Sequence, residues 1–294
     1  TTEIYTLSLH DALPISMTKA CAYRCPHCYQ RKDADADVPE ETLLATALAM
    51  ERLGVSFLNV EGGEPFLRFE RLFHLVRSAS AQTEIWVNTT GDRASRERLA
   101  ELRDAGLVGI MVSVHAPEPV AHDAFTGVAG SFDAACRTLR LCRELNLGTA
   151  INCVLSEADF RCGKLDAMMT LAGDLSCDFV QLIHPKPAGR WLGNPDALQV
   201  DSGYLTALRA KHLHYNSRKS RALPVLAAQV FEERPEGLGC TAGGVDRFYV
   251  NAAGEVQPCE FLNVSFGNVT REPFDAIFAR MRAAFAAPTR EWPC

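Results

Sequence analysis

The run Cys21-Ala22-Tyr23-Arg24-Cys25-Pro26-His27-Cys28-Tyr29 places three thiols within eight residues, in the spacing CxxxCxxC. Thiolates this dense bind metal far more often than they pair as disulfides. The count of three is informative. An ordinary iron–sulfur cluster takes four cysteines, so a local set of three leaves one iron open to hold a small molecule, as a catalytic zinc keeps one position free. Two plainer readings compete. Three cysteines with His27 would make a structural zinc site, although His27 lies between two of the cysteines and does not easily close the same tetrahedron. A redox pair of Cys25 and Cys28 leaves Cys21 idle.

A second run, Gly62-Gly63-Glu64-Pro65, follows a short apolar stretch. Paired glycines let a backbone approach a ligand closely and offer bare amide and carbonyl groups; alone, the run also reads as a turn between strand and helix. With the cysteine loop upstream, the sequence resembles the radical S-adenosylmethionine (SAM) superfamily. That family's signature is CxxxCxxC, and a GGE-type motif after its second strand hydrogen-bonds the SAM amino group. The resemblance implies that Cys21, Cys25 and Cys28 are the catalytic, metal-binding set for a [4Fe–4S] cluster. SAM would chelate the open iron, and an electron would cleave it to methionine and a 5′-deoxyadenosyl radical that abstracts a substrate hydrogen.

The same resemblance implies SAM contacts at Gly62, Gly63 and Glu64, at Ser113 ending the fourth strand, at Asn152 in the fifth and at Tyr29 beside the cluster. Asn88-Thr89-Thr90-Gly91 stands where relatives carry a Thr-Asn-Gly-like turn. Capping or core hydrogen bonding is the competing role for Ser113, Asn152 and this turn, and packing for Tyr29. Relatives follow the strand-four serine with Leu-Asp-Gly; here the run is Ser113-Val114-His115-Ala116, which makes His115 a candidate substrate or acid/base residue against a plain loop histidine. Arg190, in a Pro/Gly-rich exit resembling the Pro-x-Gly-Arg stretch of relatives, is a candidate partner for a carboxylate or a surface arginine.

The elements that must carry these motifs alternate. Helices are expected from Pro39 to Gly54, Phe69 to Ser80, Arg93 to Ala105, Ser131 to Leu145 and Gly163 to Asp174. Between them fall apolar runs, Val55–Val60, Glu84–Asn88, Val108–Val114, Thr149–Leu155 and Phe179–Ile183. Asp33 to Asp37 reads as a solvated linker. Strand–helix alternation with short links argues a parallel sheet, and right-handed crossovers curl it. The expected fold is α/β, a partial (βα)6 TIM-like barrel with chemistry at the C-terminal ends of its strands and a small C-terminal α+β iron–sulfur extension.

The chain has 294 residues, 47% of them hydrophobic, and a net charge of −6 without a basic block. This gives no sign of a nucleic-acid partner, and no apolar run reaches membrane-spanning length. Eleven cysteines, an odd number in motif spacing, fit a reducing cytoplasm. Thr1–Ser16 resembles the conceptual translation of a sequencing adaptor and is set outside the fold, which leaves Met17-Thr18-Lys19-Ala20 as the remnant of a first strand. The domains expected are a core over 17–190, a linker or bridging region over 191–238 and an auxiliary-cluster region over 239–294.

In that last region Cys240, Gly254 and Cys259 match the opening of the SPASM extension, CxnGxxxxC. A hairpin is expected from Arg247–Asn251 and Glu255–Cys259, then a helix from Pro273 to Phe285. Cys294 stands where SPASM domains begin a further set of cysteines, so the chain reads as a SPASM domain cut short. The alternative is a twitch extension in which Cys240, Cys259 and Cys294 hold one auxiliary cluster. Cys136, Cys142, Cys153, Cys162 and Cys177 read as packing residues. SPASM relatives most often modify peptides or proteins, and others act in haem biosynthesis. The expectation is a peptide-modifying enzyme with SAM, a [4Fe–4S] cluster and auxiliary clusters, served by a flavodoxin or ferredoxin. The alternatives are a tetrapyrrole enzyme or a non-catalytic iron–sulfur module.

Overall fold

The apolar runs become strands and the amphipathic runs helices, in strict order. The strands are β1 (Leu13–Ser16), β2 (Phe57–Glu61), β3 (Glu84–Thr89), β4 (Leu107–Ser113), β5 (Gly148–Val154), β6 (Phe179–Ile183), β7 (Val225–Ala228), β8 (Tyr249–Val250) and β9 (Val256–Gln257). The helices are α1 (Glu40–Arg52), α2 (Phe69–Ala79), α3 (Arg96–Asp104), α4 (Pro119–Thr126), α5 (Ser131–Glu144), α6 (Glu157–Arg161), α7 (Lys164–Asp174), α8 (Ser202–Tyr215) and α9 (Phe274–Ala284). The computed structural model describes residues 13–30, 36–79, 83–194, 202–217, 224–228, 240–245 and 247–288. None of its helices is long and apolar enough to cross a membrane, among the described residues.

The sheet order is β7-β6-β5-β4-β3-β2-β1-β8-β9. All neighbours from β7 through β8 pair in parallel, and β8–β9 is an antiparallel hairpin. This is the expected α/β partial barrel, with helices on the outer face. Side chains alternate across each strand. Outward residues such as Val60, Val87, Ile110, Val112, Ile151 and Val180 join the main core with Leu72, Leu75, Leu99, Leu139 and Met168 from the helices. Each such side chain contributes about 1.5–3 kcal/mol by leaving water.

The inward face is graded. It reads Phe57-Asn59-Glu61 on β2, Trp86-Asn88 on β3, Met111-Ser113 on β4, Ala150-Asn152 on β5 and Phe179-Gln181 on β6. Apolar residues sit at the starts of the strands and polar ones at the ends. Trp86, Met111, Ala150 and Phe179 form a separate apolar plug inside the barrel. Gly109 and Gly148 make room for it, since a Cβ on either would lie 2.6 or 2.7 Å from the Trp86 ring. The plug closes one end, and the polar ring above it opens into the site.

Four details differ from the sequence reading. Residues 13–16, set outside the fold above, form β1, and Met17–Ala20 continues it beside residues 61–64, with Met17 N–H donating to Glu61 O at 2.9 Å. The region read as a linker supplies a seventh parallel strand, β7, on β6. The expected C-terminal hairpin forms, but it joins the core sheet through β8 on β1 rather than standing apart. Helices α4 and α6, of eight and five residues, are too short to show a period. Helix α5 takes Gly130 as its N-cap, and the Ser131 hydroxyl bonds Asp123 at 2.8 Å and Thr126 at 2.7 Å.

Candidate functional site

The three-cysteine segment has no regular secondary structure of its own, so its shape is set by what grips it. At its start, Asp37 accepts from Thr18 Oγ1 at 2.6 Å and from Lys19 N at 2.9 Å. Asp37, which composition placed in a solvated linker, is therefore an anchor. In the middle, Arg24 N donates to Thr126 O at the end of α4, 2.8 Å away. At its far end Arg190 holds two carbonyls, its backbone N–H on Cys28 O and its Nη1 on Cys25 O, each at 3.0 Å. The carboxylate partner considered for Arg190 is replaced by the loop itself. Gly189 allows this approach, with φ +55° and no room for a Cβ against Cys28 O and Tyr29.

Gly62, Gly63 and Glu64 hold the same segment from below. Gly63 N donates to Thr18 O and Glu64 N to Ala20 O, both at 2.7 Å. The glycines are needed for this contact: a Cβ on Gly62 would sit 2.6 Å from Thr18 O, and one on Gly63 2.7 Å from Lys19 O. The Glu64 side chain turns away from the cavity. Buried to 1% exposure, it accepts from Phe66 N at 3.0 Å, Thr89 Oγ1 and Thr90 N at 2.7 Å and Thr90 Oγ1 at 2.5 Å. It thus ties the end of β2 to the end of β3, and the ligand-facing role is left to the glycine backbone. Glu64→Ala should lower stability by about 3–5 kcal/mol, because two backbone N–H groups lose their only charged acceptor in a dry place. A denaturant titration measures this; a loss below about 1 kcal/mol contradicts the clamp.

Above the plug lies a cavity of about 740 Å³, lined by Cys21, Cys25, Cys28, Gly62, Gly63, Asn88, Ser113 and Asn152 among others. Ser113 and Asn152 are paired in register across β4 and β5. The Oδ1 atoms of Asn59, Asn88 and Asn152 are buried without a hydrogen-bond partner. Burial pushes the Cys21 thiol up to about 11 and Cys25 up to about 12, so a bound cation must displace their protons. Among the described residues no three His, Cys, Asp or Glu side chains converge to hold a single ion. A tetrahedral zinc site is therefore not preformed, whereas a cluster takes one thiolate on each of several irons.

Tyr29 directs its hydroxyl at Glu61, which also accepts from Asn88 Nδ2 at 3.4 Å. Burial pushes the Glu61 carboxyl up to about 8, with the nearby Glu260 carboxylate adding to the rise. Glu61 was not among the sequence candidates; its signal was a charged residue on the inward face of β2. His115 lies in the cavity wall but is buried. Its Nδ1 accepts from Val154 N at 3.4 Å, its backbone N–H donates to His122 Nδ1 at 3.1 Å, and its ring packs edge-on against His27 with centroids 4.5 Å apart. Burial holds His115 well below the ordinary histidine range and His27 down at about 4. Both are neutral, and His115 supports the cysteine loop.

In the C-terminal segment Cys259 is buried, accepts from Phe261 N at 3.5 Å and ends the hairpin. The turn after Cys240 lies against it through Gly243 N to Pro258 O at 2.9 Å. Cys294 lies outside the described residues. Cys136, Cys142, Cys153 and Cys177 are buried packing residues, but Cys162 is exposed.

A sheet of this topology, with a three-thiol loop at the head of its strands, is the architecture of radical SAM proteins, and the chain carries that superfamily's domain. The family model described as Radical SAM superfamily matches residues 15–157, and the SPASM model, an iron-sulfur cluster-binding domain, matches 240–293. The resident groups of such proteins are a [4Fe–4S] cluster and SAM. Among curated proteins the chain is similar to the PqqA peptide cyclase of Rhodopseudomonas palustris, at 28% identity over 86% of this chain and 68% of the relative. It is also similar to the AdoMet-dependent heme synthase of Nitratidesulfovibrio vulgaris, at 23% over 90% and 73%. Among solved structures it shares the fold of Streptococcus suis SuiB, crystallised with precursor peptide SuiA, at TM-score 0.70 and 14% identity. That match covers 91% of this chain, which spans 64% of the SuiB chain's length.

Proposed function

We propose that the chain is a radical SAM enzyme that modifies a peptide or protein substrate. The observation that carries this reading is the open set of three thiols over a cavity walled by unpartnered amide oxygens. The volume suits a cofactor-sized organic molecule, and the bare acceptors suit donors on it. When bound and reduced, the cluster supplies the electron that cleaves the carbon–sulfur bond of SAM, yielding the radical that takes a substrate hydrogen.

In this reading Cys21, Cys25 and Cys28 hold the cluster. The Gly62–Gly63 backbone, Ser113 and Asn152 orient SAM. Tyr29 is turned toward Glu61, so its role lies on the substrate side of the cavity. Arg190, Asp37, Glu64 and His115 fix the loop, and the Trp86 plug closes the barrel floor to water. Cys240 and Cys259, with Cys294, are proposed ligands of an auxiliary cluster, and a flavodoxin or ferredoxin is the proposed electron donor. The peptide substrate is supported by the peptide cyclase relative and by the fold shared with SuiB.

The test is anaerobic reconstitution with iron and sulfide, then SAM and dithionite, reading 5′-deoxyadenosine. Candidate peptides and a porphyrin are added in parallel arms. Extra product or deuterium uptake with a peptide supports the reading. Turnover with the porphyrin alone moves the substrate to tetrapyrroles, and a protein that keeps its iron but neither binds nor cleaves SAM sinks the radical reading.

A further inference from the structure

One wall of the cavity has no role in holding the cysteine loop. It is built from Glu61 on the inward end of β2, Tyr29 after the loop, and Glu260 and Phe261 from the C-terminal segment, with Tyr249 packed against Tyr29. The Tyr29 ring meets Tyr249 at 6.0 Å and Phe261 at 5.7 Å between centroids, both edge-on. Glu61 is 7% exposed and lines the cavity with Glu260 and Phe261. The groups acting on Glu61 are the Tyr29 hydroxyl, the Asn88 amide and the Glu260 carboxylate, and no cation is among them. Two residues earlier on the same face of β2, Asn59 is 6% exposed, lines the same cavity, and leaves its Oδ1 without a donor.

We propose that this wall is a pocket for a basic side chain of the substrate, the ammonium of a lysine or the guanidinium of an arginine. The inference rests on the peptide reading above. Its physics is complementarity. The polar atom left over is the Asn59 acceptor, the Glu260 carboxylate acts on Glu61 while accepting from the Cys259 thiol at 3.2 Å, and aromatic rings, whose faces attract a cation, flank the pair. In a poorly hydrated site each of these interactions is stronger than in water. A basic group beside the two carboxyls would let both ionise and would take up the idle Asn59 oxygen.

SAM carries an amino group of the same chemistry, so its source must be decided. Tyr249, Glu260 and Phe261 lie outside the residues that match the radical SAM model. A pocket shared between the core and the C-terminal segment is placed for a molecule that enters between them, which favours the substrate. Glu260 is the charged group acting on Glu61, Arg247 lines the same cavity and acts on the neighbouring Cys259, and the Tyr29 and Tyr249 phenols are held neutral by burial. Glu61 is therefore largely protonated at pH 7 and gives up its proton when a cation binds, so binding tightens as pH rises toward 8.

The test uses the full chain with cluster and SAM bound. It is titrated calorimetrically with N-acetyl-arginine methylamide, N-acetyl-lysine methylamide and the neutral N-acetyl-norleucine methylamide. A charged probe is expected to bind at least about tenfold more tightly than the neutral one, with proton release to the buffer. Glu61→Gln should weaken the charged probe by about tenfold or more and leave SAM affinity in place. Phe261→Leu, a milder change, should weaken it about threefold. Iron content and circular dichroism confirm that each variant is folded. Equal affinity for charged and neutral probes, or no binding of either, overturns the pocket. So does a Glu61→Gln variant that loses SAM and keeps the probe. Probe binding that persists in a protein unable to cleave SAM supports the pocket and counts against the radical reading alone.

Discussion

Changing Cys21, Cys25 and Cys28 together to alanine should leave a chain that folds, takes up no iron at the loop and releases no 5′-deoxyadenosine. Folding is expected to survive because none of the three belongs to the apolar core. Cys21 is exposed and the other two are half-buried, and substitutions of this kind shift stability by only about 0.5 kcal/mol each. The loop is held through its backbone, at Thr18, Ala20, Arg24, Cys25 and Cys28, and alanine keeps every one of those groups. Activity has no such reserve, since the thiolates are the only anchors offered to the cluster by this loop. Iron analysis, visible absorption and product release check the three parts separately. A folded variant that releases 5′-deoxyadenosine at the parent rate would remove the loop from the chemistry.

Gly63→Ala should be nearly as damaging without touching a ligand. The added methyl would press on Ala20 O and lie 2.7 Å from Lys19 O. Neither strand can step back cheaply, because Gly63 N–Thr18 O and Glu64 N–Ala20 O bridge them on both sides. Relief requires moving the segment that leads into Cys21, and a displacement near 1 Å is enough to cost about a hundredfold in a positioned site. The expected result is a loss of about 1–3 kcal/mol, reduced iron loading and little product. Gly130→Ala is the control. It sits at φ +78°, a conformation Gly63 does not adopt, and has open space around it, so it reports backbone strain alone, about 1 kcal/mol. If the two variants match in stability and iron content, the close approach at Gly63 is not what sets the loop.

Much of this was legible because period two and period 3.6 are written directly into the chain. Phe179–Ile183 was found to the residue, and β2 through β5 within two residues at each end. The cysteine spacing and the paired glycines pointed to one end of the barrel, and the structure brings them together there. What escaped was decided by tertiary context. The four residues of β7 carry no periodic signal, and only the open edge of β6 makes them a strand. The same is true of β1, where an extended tetrapeptide is fixed by β2 on one side and β8 on the other. Asp37 lies among other acids whose composition says solvent, while its hydrogen bonds reach residues 18 and 19. Glu61 is invisible in a motif that begins at Gly62, yet the alternation Phe57-Asn59-Glu61 already placed it inward.

The pairing of Ile15 with Val250 has a consequence for how the molecule is made. During synthesis β1 emerges before the strands it pairs with, and the edge that takes β8 stays bare until β2 through β7 have followed. Closure of so long a loop is slow, and an unpaired edge recruits foreign strands while it waits. Docking of the hairpin at β8 therefore follows the synthesis of every other strand of the parallel sheet. That step brings Glu260 and Phe261 to the cavity, so the wall beside Glu61 is completed only when the hairpin has joined the sheet.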